Sequence, residues 1–234
     1  MMIYDLHTHV LPCMDDGACD VSESLKMLKS SREQGVVLCA ATSHCIIQSS
    51  EQIDAFVKRR RDCFEMLKKG VSEADFPVPN IILGAEVYMD HDLSIYPNIK
   101  RLCYENTDSM LIEITNGIDA QTYSEWIYSL SLLGIKPLIA HIHRYNLAHE
   151  LIRELDGVDV FYQINCSNLL TFKGRRQTGK LLDTNKSFII SSDMHNTTNR
   201  VCNVEKAYKK SLNSYPKMTE KLFSLTAKKF LGIT

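Results

Sequence analysis

Residues 4–17, with the sequence YDLHTHVLPCMDDG, place acids and imidazoles close together. The segment begins with apolar, β-compatible residues, which predicts a buried strand. Side chains two positions apart point to the same side of a strand, so Asp5, His7 and His9 are expected to share one face. The following loop brings Asp15 and Asp16. A purely structural strand would carry Val or Ile here, so the pattern indicates a chemical role.

Imidazoles and carboxylates also end most of the other predicted strands. They are His44, Glu86, Glu113, His141, Asp193 and His195. One such residue at a strand end is more often solvated or hydrogen-bonded than a ligand, but this many together would repel one another and shift their pKa values. Divalent cations remove that repulsion. Mixed imidazole and carboxylate ligands suit Mn²⁺, Fe or Zn²⁺ better than Mg²⁺ or Ca²⁺, so we predict a polynuclear metal site.

Seven strands alternating with helices are needed to position these residues. The predicted strands are residues 3–7, 36–42, 80–86, 110–115, 136–141, 161–166 and 187–193. Such alternation predicts a parallel sheet covered by helices. The carboxyl ends of barrel strands converge on one mouth, whereas an open doubly wound sheet concentrates its ligands at a switch point. We therefore predict an α/β fold, a (β/α)₇ barrel, in a single domain covering residues 1–234.

The first two predicted helices have recognisable ends. Asp20 and Glu23 have the spacing of a capping box, and Gly35 is placed to end that helix. The second helix is expected to begin at the SSEQ sequence and to end at Gly70.

Composition excludes several classes of protein. A net charge of −1 over 234 residues gives no electrostatic footprint for nucleic acid. No apolar run is long enough to insert into a membrane, and Asp5 and His7 interrupt any signal-like stretch. The eight cysteines form no C-x-x-C pair, which favours reduced thiols in a cytoplasmic protein. Cys45 and Cys166 are interpreted as buried thiols rather than nucleophiles.

Seven motifs, in this order, resemble the PHP superfamily, and within it the bacterial manganese-dependent protein-tyrosine phosphatases of capsule and exopolysaccharide biosynthesis. The motifs are DLHTHVLPCMDDGACDVSESLKML, ATSH, LGAEV, LIEI, PLIAHIHRY, QINCSNLL and SSDMHN. The resemblance extends from residue 1 to about residue 196, and the set is specific although no single motif is.

The resemblance implies a distorted TIM-like barrel that holds three divalent metal ions, with manganese first and iron or zinc as alternatives. The implied ligands are His7, His9, Asp16, His44, Glu86, Glu113, His141, Asp193 and His195. Glu86 would bridge two ions, and Arg144 would contact the substrate phosphate. A metal-bridging hydroxide would attack phosphotyrosine, whose phenolate leaving group, with a pKa of about 10, needs little protonation.

The implied substrate is a phosphotyrosyl protein, with the tail of a membrane-associated tyrosine kinase of polysaccharide export as the partner. Ser43, Ile142, His143 and Cys166 depart from the usual motifs. These departures remove no ligand and are expected to change only the rim that meets the substrate.

A basic segment, FKGRRQTGK, follows the sixth predicted strand. Lys173, Arg175 and Arg176 lie near a predicted helix start, where the helix dipole disfavours cations. They are candidate contacts for an acidic or multiply phosphorylated tail. A solvated helix start explains them equally well.

Three other functions fit parts of the pattern. A PHP phosphatase of histidinol phosphate or another small phosphomonoester would carry the same metal ligands. A metal-dependent amidohydrolase shares the H-x-H motif, but it usually has eight strands and a carbamylated lysine where Glu113 stands. A metal-stabilised adaptor that binds a kinase tail would be expected to lack a ligand or a phosphate contact, and none is missing.

Overall fold

The computed structural model describes residues 2–233 as an α/β fold whose paired strands are all parallel. The strands are β1 (Ile3–Thr8), β2 (Val36–Ala41), β3 (His44–Cys45), β4 (Asn80–Leu83), β5 (Glu86–Met89), β6 (Ser109–Ile114), β7 (Lys136–Ile139), β8 (Phe161–Asn165) and β9 (Ser187–Ser191). The helices are α1 (Val21–Glu33), α2 (Ser50–Glu73), α3 (Ala120–Leu132), α4 (Ala148–Glu154), α5 (Cys166–Leu170), α6 (Phe172–Leu182), α7 (Val204–Ser214) and α8 (Thr226–Leu231).

The seven predicted strand segments all contain strands, but the third is divided. It separates into β4 and β5 at Gly84, whose carbonyl accepts a hydrogen bond of 2.7 Å from the buried guanidinium of Arg60. A Cβ at Gly84 would lie 3.0 Å from the ring of Tyr104, so glycine allows a close approach. The additional short strand β3 pairs with β5 and places His44 opposite Glu86.

Pairing divides the strands between two sheets, in the orders β1-β2-β4 and β3-β5-β6-β7-β8-β9. Backbone hydrogen bonds join the sheets on one side where β2 and β4 end and β3 and β5 begin, since the amide of Glu86 donates to the carbonyl of Ser43 at 3.1 Å. On the other side, the amide of His9 donates to the carbonyl of Met194, and the amide of Asp193 donates to the carbonyl of His7, both at 2.9 Å. The first and last strands are therefore neighbours.

Helix α1 begins after Asp20, whose carboxylate accepts a hydrogen bond of 2.8 Å from the amide of Glu23. The Glu23 carboxylate instead accepts the amide of Thr197 at 2.8 Å, so only the Asp20 half of the predicted capping box forms. Gly35, at φ 90°, follows the helix end in the left-handed conformation expected there. The expectation that α2 ends at Gly70 is wrong, since α2 continues to Glu73. A Cβ at Gly70 would lie 2.5 Å from Cγ1 of Val21, so this glycine allows α2 to pack closely against α1.

Two apolar cores lie on opposite faces of the strands. The larger one packs β1–β9 against the surrounding helices. The smaller, inner core contains Tyr4, Leu6, Leu38, Ala40, Tyr104, Leu111, Leu138, Ala140, Phe161, Ile189, Ala227, Phe230 and Leu231. Phe230 of α8 is fully buried there, with ring centroids 5.0 Å from Phe161 and 5.7 Å from Tyr104. Helix α8 therefore fills the inner core.

Two sequence expectations concern the chain as a whole. All eight cysteines are free thiols. Within residues 2–233, no helix combines the length and apolar character needed to cross a membrane.

Candidate metal centre

The carboxyl ends of the strands gather the imidazoles and carboxylates that the sequence singled out. His7 lies in β1 and His9 follows it, whereas His44, Glu86 and Glu113 come from β3, β5 and β6. His141 follows β7, and Asp193 and His195 follow β9. Asp16 comes from the loop between β1 and α1.

Eight of the nine residues form three overlapping groups, and within each group the ligand-type atoms lie within 4.8 Å of one another. The groups are His9, Asp16, His44 and His195; His7, His9 and Asp193; and His44, Glu86 and Glu113. His141 joins the third group, because its Nε2 lies 3.0 Å from Oε1 of Glu86 and 3.3 Å from Oε1 of Glu113.

Glu86 is central to this arrangement. Its Oε2 lies 3.0 Å from His7 Nε2, 3.1 Å from His44 Nδ1 and 3.3 Å from His9 Nε2. Within residues 2–233 none of these contacts has the alignment of a hydrogen bond, so the buried Oε2 has no such partner. A buried carboxylate oxygen that lies close to three imidazole nitrogens without an aligned donor is suited to a cation.

Four of the five imidazoles hold an outer partner through Nδ1 and direct Nε2 towards the cluster. The outer partners are Gln163 for His7, Asp15 for His9, Tyr145 for His141 and the backbone carbonyl of Asp193 for His195, at 3.4, 2.7, 3.0 and 3.1 Å. Metal-binding histidines are held in this way, because the outer bond fixes the tautomer and the ring orientation. The donor set therefore fits divalent cations.

Asp15 connects three parts of the centre. Its Oδ2 lies 2.7 Å from His9 Nδ1 and accepts the backbone amide of His44 at 2.9 Å, while its Oδ1 accepts the amide of Gly17 at 3.1 Å. These contacts hold the pKa of Asp15 below its usual range despite burial, which acts in the opposite direction. Asp15 therefore positions imidazoles rather than facing the cluster.

Asp5 does not lie with His7 and His9, contrary to the expectation of one shared face. The β1–β2 register shifts between Asp5 and Thr8, which interrupts the strict alternation of side chains. The Asp5 Oδ1 instead accepts the amide of Ser192 at 2.9 Å. Complete burial raises the pKa of Asp5 to about 6.

Two candidate ligands have an uncommon backbone conformation. His141 has φ 30° and Asp193 has φ 54°, both in the left-handed region that disfavours side chains with a Cβ. The amide of His141 donates to Oε1 of Gln163 at 2.6 Å, which holds the turn in place. Strain of this kind is concentrated at functional sites.

The pKa shifts within the cluster reflect its charges. Burial opposes ionisation of Glu86, but the imidazoles of His7, His141 and His44 hold its pKa well below its usual range. Burial likewise opposes ionisation of Asp193, but the neighbouring imidazoles of His7 and His9 and the guanidinium of Arg144 lower its pKa to about 2. Burial, together with the neighbouring positive charge of His9, lowers the pKa of His195 to about 4. The carboxylates Glu86 and Asp193 are therefore held ionised. Although burial opposes it, hydrogen bonds and charges of neighbouring carboxylates raise the pKa of His9 to about 10 and those of His44 and His141 above their usual range, so cation binding would displace protons from these imidazoles.

Two arginines flank Asp193. Arg144 donates to Asp193 Oδ2 at 2.9 Å, and Arg200 donates to Asp193 Oδ1 at 3.1 Å. Both guanidiniums line a cleft of about 210 Å³ beside the cluster. Asn165 also donates to Asp193 Oδ2, at 2.7 Å. Sequence reasoning missed Arg200, because it lies in a loop between β9 and α7, away from any strand end.

The basic segment is not brought into this cleft. Arg175 donates to the carbonyl of Leu169 at 2.8 Å, and Lys173 and Arg176 are exposed on α6. Arg144 also lines a neighbouring cleft of about 250 Å³, together with Glu113 and His141. No side chain of the basic segment lines that cleft or the arginine-lined one.

The positions that depart from the family motifs are largely buried. Ser43 and Ile142 are fully buried, and burial lowers the pKa of His143 to about 3. Burial raises the pKa of Cys166 well above its usual range and that of Cys45 to about 12, so neither is suited to act as a thiolate nucleophile.

Curated relatives cover most of this chain. Tyrosine-protein phosphatase CpsB of Streptococcus agalactiae is 28% identical over 227 residues, which are 88% of each chain. Tyrosine-protein phosphatase YwqE of Bacillus subtilis strain 168 is 27% identical over 213 residues, covering 87% of this chain and 81% of the relative.

Solved structures show the same fold. A crystal structure from work on YwqE of Bacillus subtilis and CpsB of Streptococcus pneumoniae, described as unique metal-dependent tyrosine phosphatases, matches with a TM-score of 0.73 and 23% identity. It covers 100% of this chain and 96% of that one. A dihydroorotase matches with a TM-score of 0.57 and 12% identity, over 99% of this chain and 69% of that one. The family model for capsular polysaccharide synthesis, CpsB/CapC, matches residues 3–232, and the chain therefore belongs to this family.

Proposed function

We propose that this protein is a metal-dependent protein-tyrosine phosphatase. The observation that carries the proposal is the gathering of imidazoles and carboxylates around Glu86, next to a cleft lined by two arginines. Relatives that align over most of the chain are named tyrosine-protein phosphatases.

We propose that the gathered residues bind three divalent ions, with manganese as the first candidate. The proposed ligands are His7, His9, Asp16, His44, Glu86, Glu113, His141, Asp193 and His195. The overlapping groups and the outward-held Nδ1 atoms support this assignment. Bound ions would supply Lewis acidity, which activates water and stabilises developing negative charge.

The proposed role of Arg144 and Arg200 is to bind the substrate phosphate. A guanidinium presents a planar fork of donors that matches phosphate oxygens. Both guanidiniums contact Asp193, which holds them at the edge of the cluster. A phenolate leaving group has a pKa of about 10, so hydrolysis of phosphotyrosine needs less protonation than hydrolysis of an alkyl ester.

We further propose a single domain whose strands form a distorted seven-stranded barrel. The hydrogen bonds between the ends of β1 and the segment after β9, and the inner core filled by α8, support this architecture. The eight free thiols fit a reducing compartment, so we propose that the protein acts in the cytoplasm. There it would meet the phosphorylated tail of a tyrosine kinase of capsule or exopolysaccharide export.

The test combines metal analysis with hydrolysis of a phosphotyrosyl peptide. We expect activity to disappear on chelation and to return with Mn²⁺. The double variant Asp193→Ala, His195→Ala should lose about 1000-fold in kcat/KM, since Lewis-acid stabilisation is worth several kcal/mol. Preference for histidinol phosphate over the peptide would instead indicate the small-substrate phosphatase. Peptide binding without turnover in Mn²⁺ would indicate an adaptor.

A further inference from the structure

Two clefts lie in succession along helices α5 and α7, and the surface that includes both is called the groove between α5 and α7. The arginine-lined cleft is also lined by Ser167 of α5 and by Asn203, the residue before α7. A second cleft, of about 470 Å³, is lined by Leu170 of α5 and by residues of α7, including Lys206 and Lys210. Ser167 and Leu170 are one helical turn apart, as are Asn203 and Lys206, so the second cleft lies one turn further along the same two helices.

The groove is basic. Lys206, Lys209 and Lys210 are exposed and line the second cleft. Lys209 is paired with Glu205 at 2.6 Å, but between residues 2 and 233 no carboxylate lies within 4.0 Å of Lys206 or Lys210. Lys206 and Lys210 are four positions apart on α7, and like charges at this spacing destabilise a helix. An acidic ligand would relieve this repulsion.

The dimensions of the groove fit a short peptide. Asn203 and Lys210 are seven positions apart, which along a helix is about 10 Å. An extended peptide covers about 3.3 Å per residue, so about three residues span this distance. A segment that begins at a phosphotyrosine in the cleft would reach the lysines within about three to five residues.

We propose that the groove between α5 and α7 binds an acidic segment of the phosphoprotein substrate, three to five residues from the phosphotyrosine. Glutamate, aspartate or a second phosphotyrosine would supply the counter-charge to Lys206 and Lys210. The inference rests on the proposed phosphatase function and identifies its substrate class. It also assigns the acidic segment to α7 rather than to the basic segment of α6, because Lys173, Arg175 and Arg176 line neither the arginine-lined cleft nor the second cleft.

The experiment compares three substrates. They are a phosphotyrosyl peptide with three glutamates three to five residues from the phosphotyrosine, the same peptide with glutamines, and p-nitrophenyl phosphate. We expect wild type to prefer the glutamate peptide at low salt and to lose that preference in 1 M salt, where charges are screened within about 3 Å. Lys206→Glu, Lys210→Glu should reduce kcat/KM for the glutamate peptide about tenfold relative to the other two substrates.

The matched control makes the same charge change elsewhere. Lys69 and Lys221 are exposed and line neither cleft of the groove, so Lys69→Glu, Lys221→Glu should keep the wild-type ratio between substrates. Equal kcat/KM for the glutamate and glutamine peptides in wild type would overturn this inference and leave the proposed function intact. Lysine-dependent binding to phosphatidylserine vesicles without a peptide preference would overturn it in favour of a membrane surface. Failure of wild type with Mn²⁺ to hydrolyse any phosphotyrosyl peptide would refute the proposed function and this inference together.

Discussion

The carboxyl end of the strand layer and the inner core are both buried, but they are built from opposite kinds of side chain. At the carboxyl end, His7, His9 and Glu86 are almost completely buried among other ionisable groups. In the inner core, Phe161 and Phe230 pack against apolar neighbours. Burial of apolar surface stabilises the fold, whereas burial of charge opposes it. The comparison indicates that the inner core provides stability and the carboxyl end provides chemistry.

The largest expected effect tests the inner core. Phe230→Ala should reduce the free energy of unfolding by about 3–5 kcal/mol, because it removes a fully buried ring. Urea denaturation measures this loss. Phe172→Ala is the matched control, since Phe172 is 77% exposed and its loss should change stability by about 0.5 kcal/mol at most. A large fall in kcat/KM of the folded Phe230→Ala protein would contradict the assignment of stability to the inner core and of chemistry to the carboxyl end.

The next effect tests the carboxyl end. Arg144→Ala and Arg200→Ala should each reduce kcat/KM about 10- to 150-fold, since a charged hydrogen bond to phosphate is worth about 1.5–3 kcal/mol. Stability should change little, because both side chains are partly exposed. The control Arg153→Ala changes a side chain that is 72% exposed on α4 and should leave kcat/KM unaltered. Unchanged kcat/KM would remove the arginine concerned from the phosphate site.

Asp15→Asn tests the support of the imidazoles. The substitution keeps an acceptor for Gly17 but removes the charge beside His9, and we expect a 10- to 100-fold loss of Mn²⁺ affinity, roughly the range for outer partners of metal ligands. Calorimetric titration with Mn²⁺ measures the loss. Asp75→Asn, at an exposed position outside every group described above, is the control. Equal affinities of the two variants would show that Asp15 does not support the centre.

The smallest effect concerns the packing of helices outside the strands. Gly70→Ala should reduce stability by about 1 kcal/mol, because the clash with Val21 outweighs the gain in helix propensity. Gly179→Ala should raise stability by about 0.5–1 kcal/mol, since its Cβ would make an ordinary contact of 3.4 Å with Tyr215. Thermal unfolding measures whether each substitution lowers or raises stability. A change of stability in the same direction for both variants would contradict the packing explanation.

Much of this arrangement could be predicted from the sequence. Parallel strands that alternate with helices place their carboxyl ends together, so residues such as Glu86 and His141 were expected to be neighbours. Asp20 and Gly35 marked the ends of α1 through local chemistry alone. Such features depend on a few adjacent residues or on strand order.

Features set by contacts between distant segments could not be predicted. Arg200 belongs to the centre only because its loop turns back towards Asp193. Asp5 leaves the shared face because the register shifts. Gly70 lies inside α2, where the absence of a Cβ leaves room for Val21. Gln163 and Tyr145 are outer partners that no local pattern distinguishes from ordinary core residues.

The proposed ligands are spread along the chain from His7 to His195, and this order links ion binding to folding. A partly folded chain would offer only a neighbouring pair, such as His7 and His9, whereas the complete set exists only after β1 and β9 have met. Ions that bind only the complete set would favour the folded chain by mass action. The melting temperature should then rise with Mn²⁺ concentration, and the proposed ions would stabilise the folded state of the whole chain as well as take part in hydrolysis.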